Sequence, residues 1–557
     1  MKKSAIILFY LFTFLPFHAQ DSLLLRNYHY VKQQDAWLTQ PNAAALTRYQ
    51  QKNIALAEVT TSYGGGGLTE FGGADNVLQV TANVESFYRI SPRAVVFGSM
   101  SYDNWTGRNM TGSVFLSPLT SHLSPLVSRR PFDIVEDSLT NAGRKHRDTY
   151  QLSGGFGYSV SDAFAIGMKA DYTAANYAKY KDLRHKNKLM DLQFTAGVLL
   201  SLPSSFTSRP SPLTIGANYS YHRQTESITF NTYGKNDKTY KSFIDYGAMM
   251  GVVEQFGSDG LTEKSREMPY FEDGHGASLQ LGLAPLSSHL LPLTSHLSLL
   301  TSLSFHHATG YYGRKSPYTI SYTNHDRDVF TVGTAIQFST ATTSHRLDFG
   351  YRNEKLKNRA ETFRTLINAN GSPNYEYYDA VETGDKQWYN LSFDYTLHLG
   401  IRGEQPAWTL QAGYHWQQRN ISAYLYPYYR RQVLKTREWT ALVERNIIAH
   451  RGVYTITLNG GFQHGSGEPF VDGTFVTPSS KQPQPATMEA FLYQDCHLLT
   501  APQYSIGLQL KYAFRFPGTS LLTHIRGAIQ HRKANTQENQ WCGRDHTTGT
   551  IAVGCTF

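Results

Sequence analysis

The chain has 557 residues, 40% of them hydrophobic and 13% aromatic, with 37 Tyr, 45 Gly and only 3 Cys. Its net charge of +9 is spread along the sequence, which argues against nucleic acid as a partner and suits an anionic membrane surface such as lipopolysaccharide. Mean hydropathy is −0.40, and no long apolar run follows residue 20, so a bundle of membrane helices is excluded.

In chain order the first element is an export signal. Lys2 and Lys3 precede an apolar run from Ala5 to Phe17, and Ala19 offers a small residue for cleavage before Gln20 and Asp21. The run is shorter than the about 20 apolar residues of a spanning helix. No Cys follows the cut, so no lipid anchor is expected. Residues 1–19 are therefore read as a signal peptide. Residues 20–52 are a periplasmic segment or a lumen plug, and residues 53–557 are read as a barrel.

Eighteen candidate strands follow, at 53–64, 76–91, 93–105, 146–160, 162–176, 188–201, 211–222, 275–285, 297–309, 328–340, 343–354, 387–400, 406–418, 434–448, 451–464, 503–515, 519–532 and 546–557. The pattern is plainest at 389–399. There Tyr389, Leu391, Phe393, Tyr395, Leu397 and Leu399 alternate with Asn390, Ser392, Asp394, Thr396 and His398. Residues 504–515 repeat it, with Tyr504, Ile506 and Leu508 set against Ser505, Gly507 and Gln509. Runs of about 11 residues suit tilted strands crossing a bilayer and exceed the usual strand of a soluble sandwich.

The connections alternate in length. Short ones fall near 91–92, 161, 202–210, 341–342, 401–405, 450 and 517–518. Long ones fall at 65–75, 106–145, 177–187, 223–274, 310–327, 355–386, 419–433, 465–502 and 533–545. This order matches short periplasmic turns and long extracellular loops. The expected fold is an all-β, transmembrane, antiparallel outer-membrane β-barrel of about eighteen strands, with sixteen or fourteen as alternative counts, located in the cell outer membrane. Ile551, Val553, Cys555 and Phe557 share a face of the last strand. This ending resembles the C-terminal signal read by the barrel-assembly machinery, which makes Phe557 a candidate assembly signal and that machinery a partner.

Lipid demands an apolar outer face, so ionisable residues belong inside. By parity, Glu85, Lys169, Asp171, Asp191, Arg346, Asp348, Arg352, Asp394, His398, His415, Lys511, Arg515, His524 and Arg526 are candidate lumen-lining residues. The later strands carry more inward bases than acids, which points to anionic solutes. Trp388, Tyr389, Trp408, Trp416, Trp439, Tyr504 and Tyr512 are candidates for the aromatic girdles at the two interfaces. Cys496 and Cys542 fall in successive outer loops and could pair as a disulfide or stay as thiols. Cys555 faces lipid. Pro/Ser-rich runs at 117–128, 201–212 and 285–304 resemble one another and read as tolerated insertions between strands.

No catalytic or cofactor motif is present: there is no GxSxG, HExxH, phosphate-binding loop or CxxC. His306 and His307 are neighbours on a strand and face opposite ways, so they make a poor metal pair. No enzyme, cofactor or metal is expected. Pro41–Leu46 (PNAAAL) resembles the NPA-type segment of long-chain fatty acid transporter-like barrels, although those have fourteen strands. With QPNAAALTRY, its Tyr-rich strands and Phe557, the whole chain resembles the outer-membrane β-barrels of Bacteroidota, including families of unknown function. That resemblance implies a barrel and names no substrate. Three functions follow as expectations: a channel or transporter for small solutes, a structural or assembly component of a secretion or surface-export machine, and a hydrolase with its site at the rim.

Overall fold

The structure is a computed structural model that describes residues 26–49, 53–69, 72–115, 131–136, 142–182, 184–202, 213–231, 240–256, 268–283, 296–316, 319–449, 452–516, 518–519, 521–535 and 543–557. The expected signal peptide, Cys542 and the run at 117–128 lie outside the described residues, as do most of the runs at 201–212 and 285–304.

Eighteen strands close into one antiparallel barrel. They are β1 Ile54–Gly65, β2 Asn76–Ser91, β3 Ala94–Met110, β4 Gly143–Ser159, β5 Phe164–Lys179 and β6 Arg184–Leu202. Next come β7 Leu213–Asn231, β8 Met268–Leu283, β9 His296–Ser316, β10 Thr319–Ser339, β11 Thr343–Ala360 and β12 Val381–Leu399. The last are β13 Trp408–Leu425, β14 Tyr428–Ala449, β15 Gly452–Gly467, β16 Gln503–Arg515, β17 Leu522–Ala534 and β18 Asp545–Thr556. Each pairs with the next in sequence, and β18 returns to β1 in the register Leu56↔Thr556 to Gly65↔Thr547. A sheet surrounded by lipid has to close, because an open edge would leave amide groups unpaired. A short strand, Val471–Thr474, extends the sheet beyond β15 along the upper part of β14. No described helix is long and apolar enough to cross a membrane.

The two faces separate as alternation dictates. Ile506 and Leu510 of β16 are 59% and 54% exposed on the outside, while Gln509 and Lys511 face the lumen beside Arg526 of β17. Trp388 departs from expectation. It lies on the inward face of β12, wholly buried against Leu356 and Leu434, and is not a girdle residue.

Three connections expected to be long are tight. β5 ends at Lys179 with β6 starting at Arg184, β9 ends at Ser316 with β10 starting at Thr319, and β13 ends at Leu425 with β14 starting at Tyr428. Strand pairing continues there after the apolar alternation stops. Gly310↔His325 and Tyr311↔Asn324, for example, extend the β9–β10 ladder. There polar and charged residues such as Asn324, Asp326 and Lys188 mix with Tyr311 and Val433 on the outward face, so these strand ends carry no regular apolar alternation.

Two internal structures occupy the ends of the lumen. At the long-loop end, Asp133–Glu136, Tyr240–Asp245, Met250–Phe256 and Ala486–Thr487 form a four-stranded sheet. Phe115, Phe132, Ile134 and Ile244 pack it against Ile228, Tyr270, Tyr312 and Tyr322 of the wall. A helix, Glu489–Thr500, sets Cys496 and Leu499 against Leu356, Trp388 and Leu434. At the short-turn end lies the segment from Arg26 to Tyr49. It holds a helix, Tyr28–Gln33, and two 3₁₀ turns, Ala36–Thr39 and Ala43–Arg48. Asn27, Asp35 and Asn42 cap these through their side chains, accepting from Tyr30 N, Trp37 N and Ala44 N.

Candidate functional site

The N-terminal segment lies on the inner wall across many strands. Tyr28, Val31 and Tyr49 pack on Leu56, Phe87 and Val95 of β1–β3. Trp37 and Ala44 cluster with Ala165, Leu199, Leu300 and Ala335 of β5, β6, β9 and β10. Arg346 of β11 donates to the Gln33 carbonyl at 3.1 Å, and the Tyr30 ring meets His398 of β12 edge-on at 5.0 Å. Arg26 pairs with Glu404, in the turn after β12, at 2.7 Å.

Asn42 is a polar residue of the segment buried to 1% exposure. Its amide nitrogen donates to Val198 O at 3.1 Å, Ala217 O at 3.3 Å and Gln280 Oε1 at 3.0 Å, which joins the segment to β6, β7 and β8. The wall leaves room for this close approach. A Cβ on Gly167 would run into the Ala43–Ala44 backbone, one on Gly197 into the Asn42 side chain, and one on Gly282 into the Trp37 ring.

Above this floor, which contributes Lys32 and Pro41, lies a cavity of about 800 Å³ bounded by β2–β11. Its charges come in opposed pairs. Glu272 of β8 is the centre of the largest group. Its Oε2 lies 3.0 Å from Arg327 Nη2, 3.0 Å from His325 Nε2 and 3.0 Å from the Tyr270 hydroxyl. Arg352 donates to Glu354 at 2.9 Å, and Glu354 approaches Arg327 Nε at 3.9 Å. Glu272, His325 and Glu354 are almost wholly buried. Across the cavity His222 meets Asp191 at 3.0 Å, Lys169 meets Asp171 at 2.8 Å, and Lys32 of the floor pairs with Glu85. The chamber thus offers donors and acceptors of both signs without a field of one sign.

Of the lumen-lining candidates, Glu85, Lys169, Asp171, Asp191 and Arg352 border this chamber. Arg346, bound to Asp348 at 2.8 Å, and His398 hold the floor segment. His415 and Asp394 pair at 2.9 Å on neighbouring strands. His524 and Arg526 both bind Glu58 of β1, at 2.7 and 2.5 Å, and Lys511 is the register partner of Arg526. The basic surplus of the late strands is therefore partly answered by an acid on the first. Arg515 lies at the rim, where it donates to the Thr519 carbonyl at 2.8 Å. His306 borders the chamber while His307 faces outward to Asp328. Cys496 is buried on the cap helix, and burial pushes its thiol pKa up. Its suggested partner, Cys542, is outside the described residues.

Glu272, His325 and Arg327 were not among the candidates, because the strands read from sequence began at 275 and 328. The strand does continue, with Tyr270, Glu272 and Gly274 buried on its inner side, but both faces mix aromatic and charged residues, so the stretch resembles loop.

A family model matches residues 43–557, and the chain belongs to that family, described as "Family of unknown function (DUF6850)". No curated protein sequence matches it. Similar solved structures include BauA, the ferric preacinetobactin receptor from Acinetobacter baumannii (10% identity, TM-score 0.42, 90% of this chain and 80% of that one). The outer membrane transporter YddB from Escherichia coli has 7% identity and TM-score 0.40 over 91% of this chain and 81% of that one. A Pseudomonas aeruginosa FadL homologue has 10% identity and TM-score 0.26 over 93% and 92%. At this level of likeness none of them says what this chain binds.

Proposed function

We propose that this member of the family is an outer-membrane channel or transporter for small polar solutes, gated at both ends of its lumen. Residues 1–19 would export it, residues 20–52 would serve as the plug, and the long loops would face outside the cell. The observation that carries this reading is the charge-paired chamber of about 800 Å³ that lies inside the barrel wall above the N-terminal floor. Barrels of 16–18 strands leave space for an aqueous path.

Planar-bilayer conductance tests it. The full protein is expected to be nearly silent with rare openings. Asn42→Ala, or deletion of residues 20–52, is expected to raise the open fraction. Barrels that insert and remain silent in all three forms would reject transport. A second reading, a structural component of an export machine, draws support from the self-filled lumen ends. Stable co-purification with partner proteins, together with that silence, would favour it.

A further inference from the structure

The outward face just above the apolar belt differs around the barrel. On β9–β11 the cations at that height have carboxylate neighbours. His307 lies 2.7 Å from Asp328, and Arg359 Nη2 lies 2.6 Å from Asp326 Oδ2. Lys355 and Lys357 are the register partners of Asp328 and Asp326. On β14 this neutralisation stops. The side chains of Lys435 and Arg437 are exposed and make no ion pair or hydrogen bond with any described residue. Their cross-strand partners are Gln418 and Ser466 for Lys435, and Trp416 and His464 for Arg437.

Directly below stands a group of aromatic rings. Trp439 lies 5.5 Å from Tyr414 and 5.8 Å from Phe462, and the His464 ring stacks on Trp439 at 5.4 Å. From Trp439 down to Ile447 the outward residues of β14 are Trp439, Ala441, Val443, Arg445 and Ile447. The Arg445 guanidinium covers the Trp408 ring at 4.5 Å. That stretch matches the about 9–11 residues of a membrane-crossing strand. Lys435 and Arg437 therefore sit at headgroup depth. Side chains two apart on a strand are about 7 Å apart, and a facing pair about 5 Å. Two cations and an imidazole at this spacing can surround one phosphate.

We infer that Lys435, Arg437 and His464 bind the phosphorylated headgroup of an outer-leaflet glycolipid, with its acyl chains lying along Trp439, Val443 and Leu458. The leaflet rests on the proposed orientation, with the long loops outside. The site itself rests on the unneutralised cations above the rings. A second exposed cationic pair, Lys186 and Lys188 of β6, separates a defined site from a generally basic rim. Its cross-strand partners are Ala178, Thr229, Asn176 and Ser227, with no ring among them.

Native mass spectrometry of the detergent-purified full chain tests this, with bisphosphorylated lipid A, its dephosphorylated form and phosphatidylglycerol as probes. Heat-modifiable gel mobility confirms that each variant is a folded barrel. Wild type and Lys186→Ala/Lys188→Ala are expected to retain lipid A. Lys435→Ala/Arg437→Ala is expected to retain it roughly tenfold to thirtyfold less, as two cations beside an anionic headgroup imply. The dephosphorylated form should bind wild type no better than it binds that variant. Equal retention by wild type and Lys435→Ala/Arg437→Ala overturns the site and leaves the transport reading intact. Equal loss in the Lys186 pair variant also overturns it, in favour of a diffuse basic rim. Tighter retention of phosphatidylglycerol than of lipid A overturns the glycolipid and the orientation together.

Discussion

Arg419 of β13 places its guanidinium 2.9 Å from the Asp495 carboxylate of the cap helix, and both side chains are nearly inaccessible, at 2% and 3% exposure. The pair ties the cap to the wall from inside the lumen. Burial pushes the Asp495 pKa up despite the guanidinium beside it. Arg419→Met leaves that carboxylate buried and alone, at a cost of about 3–5 kcal/mol. The cap should then open, seen as faster proteolysis between residues 468 and 502 and more frequent channel openings. An acid whose folded pKa is raised favours the folded state at low pH and opposes it as pH rises through that pKa. Cleavage of Arg419→Met should therefore slow as pH falls from about 7 toward about 4. A variant cleaved like wild type at neutral pH would show that the pair does not hold the cap.

At the other end, Asn42 and the inward glycines predict the fate of the floor. Asn42→Ala removes three donated bonds and leaves wall carbonyls without that donor, about 1–3 kcal/mol. Gly197→Val acts from the wall side by occupying the Asn42 position. Both should expose Lys32 and Arg48 to trypsin in the folded barrel and raise conductance by similar amounts. If only the glycine variant does so, wall distortion is the cause and the Asn42 bonds are not.

The closed barrel could be read from sequence because lipid forces it. An apolar face on alternate residues of every membrane strand leaves a mark that composition cannot hide, as in Tyr504–Phe514. The strand ends could not. Tyr270–Asp273 and His325–Arg327 continue their ladders into water, where neither face has to be apolar. Trp388 misled for the opposite reason. Its position is inward, but a large aromatic is welcome there only because the cap helix covers it. The chamber was half legible. Parity named Lys169, Asp171 and Arg352, but the Glu272–Arg327 centre joins β8 to β10, and that adjacency exists only once the strand order is known. PNAAAL stood out as a segment, but what it docks against is a set of wall glycines distant in sequence.

Glu272 is the next test. It is the shared acceptor for Arg327, His325 and Tyr270. Glu272→Leu leaves the part-buried Arg327 guanidinium, 19% exposed, without its closest anion, an expected loss of about 1–3 kcal/mol. The heat-modifiable transition of the barrel on gels should shift to lower temperature. Arg352, which is 44% exposed on the chamber side, should behave differently. Arg352→Gln is expected to leave that transition in place and to shift conductance selectivity toward cations. An unchanged reversal potential would remove Arg352 from the solute path.

The seam between the first and last strands separates folding from assembly. Ala55 N donates to Phe557 O at 2.8 Å, and Phe557 N donates to Ala55 O at 3.0 Å, so Phe557 extends the seam ladder with its backbone. Its ring, 50% exposed, faces outward. Phe557→Ala keeps both bonds and removes only the ring. Deletion of Phe557 removes both bonds and leaves the Ala55 amide and carbonyl unpaired at an edge that lipid cannot satisfy. If the ring is what the assembly machinery reads, Phe557→Ala should lower the amount of barrel in cell membranes while refolding into detergent with wild-type yield. The deletion should lower both. Equal losses from the two variants in detergent would place the contribution of Phe557 in the seam itself and not in recognition.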